Sequence, residues 1–443
     1  MNRRLRSLAL AWLSLALIML PACSDEGDEN FPIDDNQMKR VLTVELVALL
    51  GAENNRLIHQ FAAENPDIEV VMRVSNNHYR ELSPWIIGKE GRGDPPDIVE
   101  LTPNQMNLWY HHGKLEPLNL HESELKPLVV TAPDGNILGL KSKVNPLIVY
   151  YSQDAFRLLG IDPPDEHWDW DMLDASIAAL KRAGFNVYIK LSPATLEWLA
   201  VNRFGGRIVD RSGTVFSGYL DSEAAVQAAE WIAWVGTRDE DYRQRTGPNN
   251  VPYYDPMPFD LVDGNMALAI DFAYGLQPTG TTSYERIAQR NEDIGIAPVP
   301  GGMYAGNVAN MSGLAIPTYA KNKEDAMRLL RYMAKSGERY FEDIADYTLR
   351  SESSVEIQSP ERLATVIGEM KRAHPAALFM YEDQHHGDNR MFFPPRRAIE
   401  QGQPVREALQ QYAEEVDSEF DLFKRDLENL ASCIRQATGV CRY

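Results

Sequence analysis

A strand, a helix and a second strand follow one another between Val41 and Val74, and that order leaves few folds open. Val41-Leu42-Thr43-Val44-Glu45-Leu46-Val47 has the β-rich pattern of a strand. Gly51 leads into a helical stretch in which Leu57, Ile58 and Phe61 share one face. Asn65-Pro66 ends it, because the residue before a proline is pushed out of the helical region. Ile68 to Val74 reads as the next strand. Two strands joined through a helix require a crossover, and a crossover makes them parallel neighbours, so the class is α/β.

The alternation continues along the chain. Asp97-Ile98-Val99-Glu100-Leu101 reads as a short buried strand, followed by a helix from Asn104 to His112 that stops at Gly113. Leu147 to Tyr151 reads as a strand, and Leu173, Ile177 and Leu180 form a helix stripe closed by Gly184. Asp221 is placed to cap a helix running to Val235, with Trp231 and Trp234 as core residues on it. Met266 to Asp271 and Leu314-Ala315-Ile316 suit strands, Lys323 to Ser336 suits a helix, and the chain beyond Pro360 reads as largely helical. There is no internal repeat.

The N-terminus reads as a processing signal outside the fold. Arg3, Arg4 and Arg6 precede an apolar run from Leu8 to Met19, and Leu20-Pro21-Ala22-Cys23 follows. That pattern resembles the bacterial lipobox, in which the Cys23 sulfur receives a diacylglyceryl group and residues 1–22 are removed. Anchoring by two or more chains is stable because each buried methylene contributes about 0.8 kcal/mol. Residues 23–40, rich in Asp and Glu, read as a solvated tether. Loss of the leader with its three Arg takes the formal net charge from −20 to −23, which argues against nucleic acid and against polybasic membrane attachment. No second apolar stretch of spanning length follows. The other two cysteines, Cys433 and Cys441, suit either a short-loop disulfide, stabilising by about 2.5 kcal/mol in an oxidising compartment, or two free thiols.

Several stretches then carry a family resemblance in the right order. They are Phe61-Ala62-Ala63-Glu64-Asn65-Pro66-Asp67-Ile68-Glu69-Val70, Pro96-Asp97-Ile98-Val99, Gly113-Lys114-Leu115-Glu116-Pro117-Leu118 and Ile148-Val149-Tyr150-Tyr151-Ser152-Gln153-Asp154-Ala155-Phe156. Asp162-Pro163-Pro164 with Trp168-Asp169 follows, where His167 stands in place of the usual Thr, and then Gly205-Gly206 with Leu220-Asp221-Ser222-Glu223-Ala224. Gly264-Asn265-Met266-Ala267-Leu268 and Gly313-Leu314-Ala315-Ile316-Pro317 with Lys321-Asn322-Lys323-Glu324-Asp325-Ala326 complete the set. Together they resemble the extracellular solute-binding proteins of family 1, receptors for carbohydrate ABC importers. Two departures from the family pattern stand out: the apolar Leu49-Leu50-Gly51-Ala52 at the first ligand loop, and Asn310-Met311-Ser312 in place of a Gly-rich run.

The resemblance implies a two-lobed periplasmic-binding-protein fold with hinge-linked parallel-type sheets and a helical C-terminal portion. It implies a first lobe from 41–145, completed by a return at 310–360, and a second lobe from 146–309, completed by helices in 361–443. The ligand then lies in the cleft between lobes that close around it. A sugar presents hydroxyls on its rim and C–H groups on its faces, so a site wants aromatics and Asn, Asp or Thr. Where the family places its ligand loops, the candidates are Glu53, Thr102, Asn104, Asn145, Trp198, Asp271, Tyr274 and Asn310. Trp198, within Leu196-Glu197-Trp198-Leu199, suits the core as well as a stacking face, and Asn145 suits the turn before Pro146 equally well. Trp109-Tyr110 is expected to pack its helix.

No nucleophile elbow, zinc-protease helix, P-loop or dinucleotide fingerprint is present, so an enzyme reading lacks its residues and no cofactor is expected. Tyr150-Tyr151 falls in a strand, where neighbours point to opposite faces, and His111-His112 and His385-His386 lack ligand spacing, so no metal is expected. The sequence therefore reads as a monomeric, extracytoplasmic, lipid-anchored capture protein. It would deliver a sugar or oligosaccharide to ABC permease subunits. The alternatives are a binder of the same fold for a non-sugar solute or a sensor, and less favoured a glycoside hydrolase, whose carboxylate pair only spatial separation reveals.

Overall fold

In the computed structural model, strand β1 (Arg40–Leu46) lies between β2 (Ile68–Val74) and β3 (Ile98–Leu101), parallel to both. The residues described are 39–46, 56–74, 96–111, 113–120, 128–132, 134–189, 193–210, 215–236, 245–246, 252–253, 266–273, 294–301, 306–349, 360–375, 402–418 and Asp421, all within a unit spanning 39–443. Helix α1 (Arg56–Glu64) buries Leu57, Ile58 and Phe61, the stripe read from the sequence. Asp97 holds this corner together. Its Oδ2 accepts from the Thr43 N–H (3.0 Å), and its Oδ1 accepts from the N–H groups of Lys321 (3.1 Å) and Asn322 (2.8 Å), ahead of the helix Lys323–Lys335. Two of the sequence stretches that carried the resemblance thus meet on one buried carboxylate.

Helix α2 (Pro103–His111) follows, then β4 (Val129–Thr131) and the long β5 (Ile137–Ser152). Next come α3 (Gln153–Leu159), α4 (Trp170–Arg182), β6 (Asn186–Ile189), α5 (Pro193–Asn202) and α6 (Glu223–Val235). The short pair β7 (Arg245–Thr246) and β8 (Pro252–Tyr253) precedes β9 (Met266–Phe272), β10 (Ile294–Ala297) and β11 (Asn307–Ala315). Helices α7 (Lys323–Lys335), α8 (Glu338–Leu349) and α9 (Pro360–Arg372), strand β12 (Ala373–Pro375) and helix α10 (405–418) complete the set. The strand order is β2-β1-β3-β11-β5-β9-β6.

Parallel pairing holds at the outer strands, β1/β2 and β6/β9, while β11 and β5 run antiparallel to each other and to their neighbours β3 and β9. The sheet is therefore mixed. Two large apolar clusters flank the crossing. One gathers β1, α1, α7 and α8, with Val366 and Met370 of α9. The other gathers α4, α5 and α6, with Leu409, Tyr412 and Val416 of α10. Tyr150 belongs to the first cluster and Tyr151 to the second, as strand alternation requires of neighbours.

Close approach explains two glycines. A Cβ at Gly206 would fall 2.2 Å from that of Ala224, which lets the end of α5 lie against the start of α6. A Cβ at Gly313 would lie 2.6 Å from the Leu140 carbonyl oxygen and 2.9 Å from the Met106 methyl, where α2 presses on the sheet.

The structure corrects several sequence expectations. Strand β5 starts at Ile137, ten residues ahead of the strand expected at Leu147, and β11 starts at Asn307, not Leu314. The cap of α6 is Ser222, whose Oγ accepts from the Ala225 N–H (3.4 Å); Asp221 instead accepts from the Gly218 N–H (2.7 Å). Trp231 is buried but Trp234 is 42% exposed, with the Lys181 ammonium 5.7 Å from its ring centre. The lipobox, Cys433, Cys441, His112, His385 and His386 lie outside the described residues.

Candidate ligand site at the strand crossing

Strand β5 changes partner in mid-course. It pairs with β11 up to Pro146, opposite Ala309, and with β9 from Leu147, opposite Phe272. Asn145 and Asn310 face each other directly at the last pair but one of the first ladder, so their side chains leave on one side. Lys143 and Ser312 pair two residues away, on that same side. Every residue of β5 is buried except Lys143 and the terminal Ser152, and Asn310 is the one half-exposed residue of β11. The two partly open positions in the middle of these strands therefore share a face. The Asn310 Oδ1 atom is shut off from solvent and has no hydrogen-bond partner.

Polar groups cluster beside this face. The Glu100 carboxylate accepts from the hydroxyls of Ser142 (2.7 Å) and Ser312, and the two hydroxyls lie 3.2 Å apart. One residue beyond the Leu101–Gly313 pair, Thr102 comes level with Ser312. Thr102 also caps α2: its hydroxyl accepts from the Gln105 N–H (3.3 Å), while its own N–H donates to Gln105 Oε1 (2.9 Å). Lys141 is buried, donates to the Ala373 carbonyl (3.0 Å), and burial brings its ammonium down to about 8.

A second polar set locks the crossing from behind. Asn307 Nδ2 donates to the Leu147 carbonyl (2.8 Å), where β5 changes partner, and to the Glu369 carboxylate of α9. Arg372 Nε donates to the other oxygen of Glu369 (2.8 Å). Burial pushes the Glu369 carboxyl up to about 7, with Arg372 and Asn307 opposing the rise. Asn202, at the end of α5, accepts from the Gly306 N–H (3.1 Å), tying that helix to the start of β11.

Of the residues expected at the site, Thr102, Asn145 and Asn310 come together. Asn104 lies in the first turn of α2. Asp271 pairs with Ile148, and alternation along β5 sends it to the side opposite Asn145; its Oδ1 accepts from the Phe272 N–H (2.6 Å). Trp198 corrects the stacking expectation, because it has no exposed surface. Its ring packs 5.0 Å from that of Trp170 within the second cluster, leaving no open face for a sugar. Nearby, Arg203 forks onto Asp174 (3.0 and 2.6 Å) and lies against the rings of Trp170 and Trp231, each 5.1 Å away. Glu53 and Tyr274 lie outside the described residues. Sequence reasoning missed Lys143, Ser312, Glu100, Asn307 and Glu369. The signal for the first was available: Lys141-Ser142-Lys143-Val144-Asn145 is a polar run leading into an apolar strand.

The family model for bacterial extracellular solute-binding proteins matches residues 56–350, a span that contains β1's neighbours and both crossing strands. The chain is a bacterial extracellular solute-binding protein. This solute-binding protein shares 27% identity over 148 residues with the sn-glycerol-3-phosphate-binding periplasmic protein of Escherichia coli (strain K12). The match covers 30% of this chain and spans about a third, 34%, of that relative. Among solved structures, the sugar-binding protein MalE from Xanthomonas citri superposes with a TM-score of 0.62 at 16% identity, over 88% of this chain and 99% of that one. The extracellular solute-binding protein from Staphylococcus aureus in complex with maltose gives 0.61 at 16%, over 87% and 98%. At such identity the likeness is one of fold, the two-lobed periplasmic-binding architecture. Among the described residues of this solute-binding protein no helix is long and apolar enough to cross a membrane, and no three metal-ligating side chains gather.

Proposed function

We propose that this solute-binding protein captures a sugar or related polyol at the crossing of β5 and β11 and delivers it to an ABC importer without transforming it. The observation that carries this reading is the face bearing Lys143, Asn145, Asn310 and Ser312, which lies on the two central strands of the mixed sheet, where β5 changes partner. Donors and acceptors fixed there meet a ligand at the position about which lobes turn, so binding and closure are coupled. The maltose-bound and glycerol-phosphate-binding relatives support a hydroxyl-bearing ligand. The lobes are proposed as 41–145 with 310–360 and 146–309, with the C-terminal helices completing the second. Anchoring is proposed through acylated Cys23 at the outer face of the cell membrane, with the acidic 23–40 segment as the tether and the body a monomer.

The test is calorimetric titration of the full-length protein in detergent against mono- and oligosaccharides and polyol phosphates, with small-angle scattering recorded alongside. One-to-one saturable binding with a fall in radius of gyration is expected. Silence across the panel from a folded protein would remove the reading.

A further inference from the structure

Two groups on the crossing face are left unsatisfied, and they are of opposite kinds. Lys143 is a donor with a full positive charge, and no side-chain hydrogen bond or ion pair holds it among the described residues. Asn310 Oδ1 is an acceptor, buried and without a partner. Register places them on one side of the sheet, with Asn145 and Ser312 as the other two members of the patch.

The charges around Lys143 are already committed. Glu100, the carboxylate of the adjoining strand β3, accepts from Ser142 and Ser312. Lys141, on the same strand, is spent on the Ala373 carbonyl. In a chain whose formal net charge is −20, an uncommitted ammonium in mid-strand does not reflect a generally basic surface. A neutral hydroxyl offers this ammonium a hydrogen bond and leaves its charge unbalanced. An anionic oxygen adds the attraction of a full opposite charge, in a position partly screened from water.

We propose that the solute carries an anionic group, carboxylate or phosphate, held by Lys143, while hydroxyls of the same molecule take Asn145 and Asn310. This rests on the reading of the crossing as the binding site. It also separates two kinds of relative, such as the maltose-bound protein of Staphylococcus aureus and the sn-glycerol-3-phosphate-binding protein of Escherichia coli.

The test titrates two matched pairs, glycerol 3-phosphate against glycerol and glucuronate against glucose, into the full-length protein, Lys143→Met and Lys143→Arg. In the unaltered protein the charged member of at least one pair binds ten-fold or more tightly than its neutral partner. Lys143→Met brings that ratio to within two- to three-fold, and Lys143→Arg keeps most of it. Which pair responds tells phosphate from carboxylate. A neutral member binding as tightly as its charged partner, or a preference that survives Lys143→Met, overturns the proposal. Silence toward all four with saturable binding of maltose also overturns it and leaves the receptor reading standing. Silence toward maltose as well removes both. The comparison within the unaltered protein stands even if Lys143→Met fails to fold.

Discussion

Arg203, in the turn that follows α5, and Lys143, in β5, are both cations, and their surroundings dispose of them in opposite ways. Arg203 is forked onto Asp174 and packed against Trp170 and Trp231, and the Trp231 indole N–H donates to the same carboxylate (2.9 Å). Nothing of its charge is left for a visitor. Lys143 has a partly open face and no side-chain partner among the described residues. The aromatic nest around Arg203 has the residue types of a sugar site and the chemistry of a core. The crossing has the open polar face that the proposed site needs. Unspent charge, and not the presence of tryptophan, separates the two.

The sharpest way to break this comparison is Trp198→Ala. Removing a fully buried indole is expected to cost about 4 kcal/mol in urea denaturation, with the affinity of the folded fraction changed less than two-fold. A selective loss of binding at unchanged stability would put Trp198 back at the ligand.

Glu369 comes next in size. Its carboxyl is raised to about 7 in the fold, above the ordinary value of 4.5, so the folded protein holds this proton more tightly than the unfolded chain. Its share of stability is therefore full below about pH 4.5 and is lost as pH rises toward about 7. The difference in denaturation midpoint between the unaltered protein and Glu369→Gln, followed from pH 4.5 to 8, should change across that window and be flat above it. A constant difference at every pH would show that the carboxylate is not perturbed.

The smallest effect in energy is the most telling for function. Asn145→Ala should weaken ligand binding about ten-fold while costing about 1 kcal/mol of stability. Equal affinity for both proteins would move the site away from the crossing.

The first unit, from Val41 to Val74, was legible because local pattern and tertiary role agree there: the apolar stripe of α1 is the face the sheet covers. Strand β5 was half legible for the opposite reason. Its second part, Leu147 to Tyr151, is buried on both sides and apolar throughout, whereas Lys141, Ser142, Lys143 and Asn145 break the alternation of the first part. Those polar residues make the strand hard to recognise and are also what the proposed site is built from, as is common where function overrides local pattern. Asn145 and Asn310 were singled out by their place in the resemblance, and their direct pairing was not readable because register is a long-range property. Leu196-Glu197-Trp198-Leu199 has no one-sided stripe, so only the packing against Trp170 decides the fate of Trp198. Asp221 lost the cap to Ser222 by one position, a contest that sequence alone leaves even, since both residues cap well.

Strand β5 also sets a limit on how the molecule can be taken apart. It supplies the partner for β11 over 140–146 and for β9 over 147–151 within a single unbroken run of backbone. A gene cut at Pro146 to make two separate polypeptides would give each fragment only a stub of its central strand, with open N–H and C=O groups along the edge. A fusion partner inserted there would split both ladders at once. Breakpoints that leave this receptor whole belong in its surface turns, away from the one strand that both halves own in common.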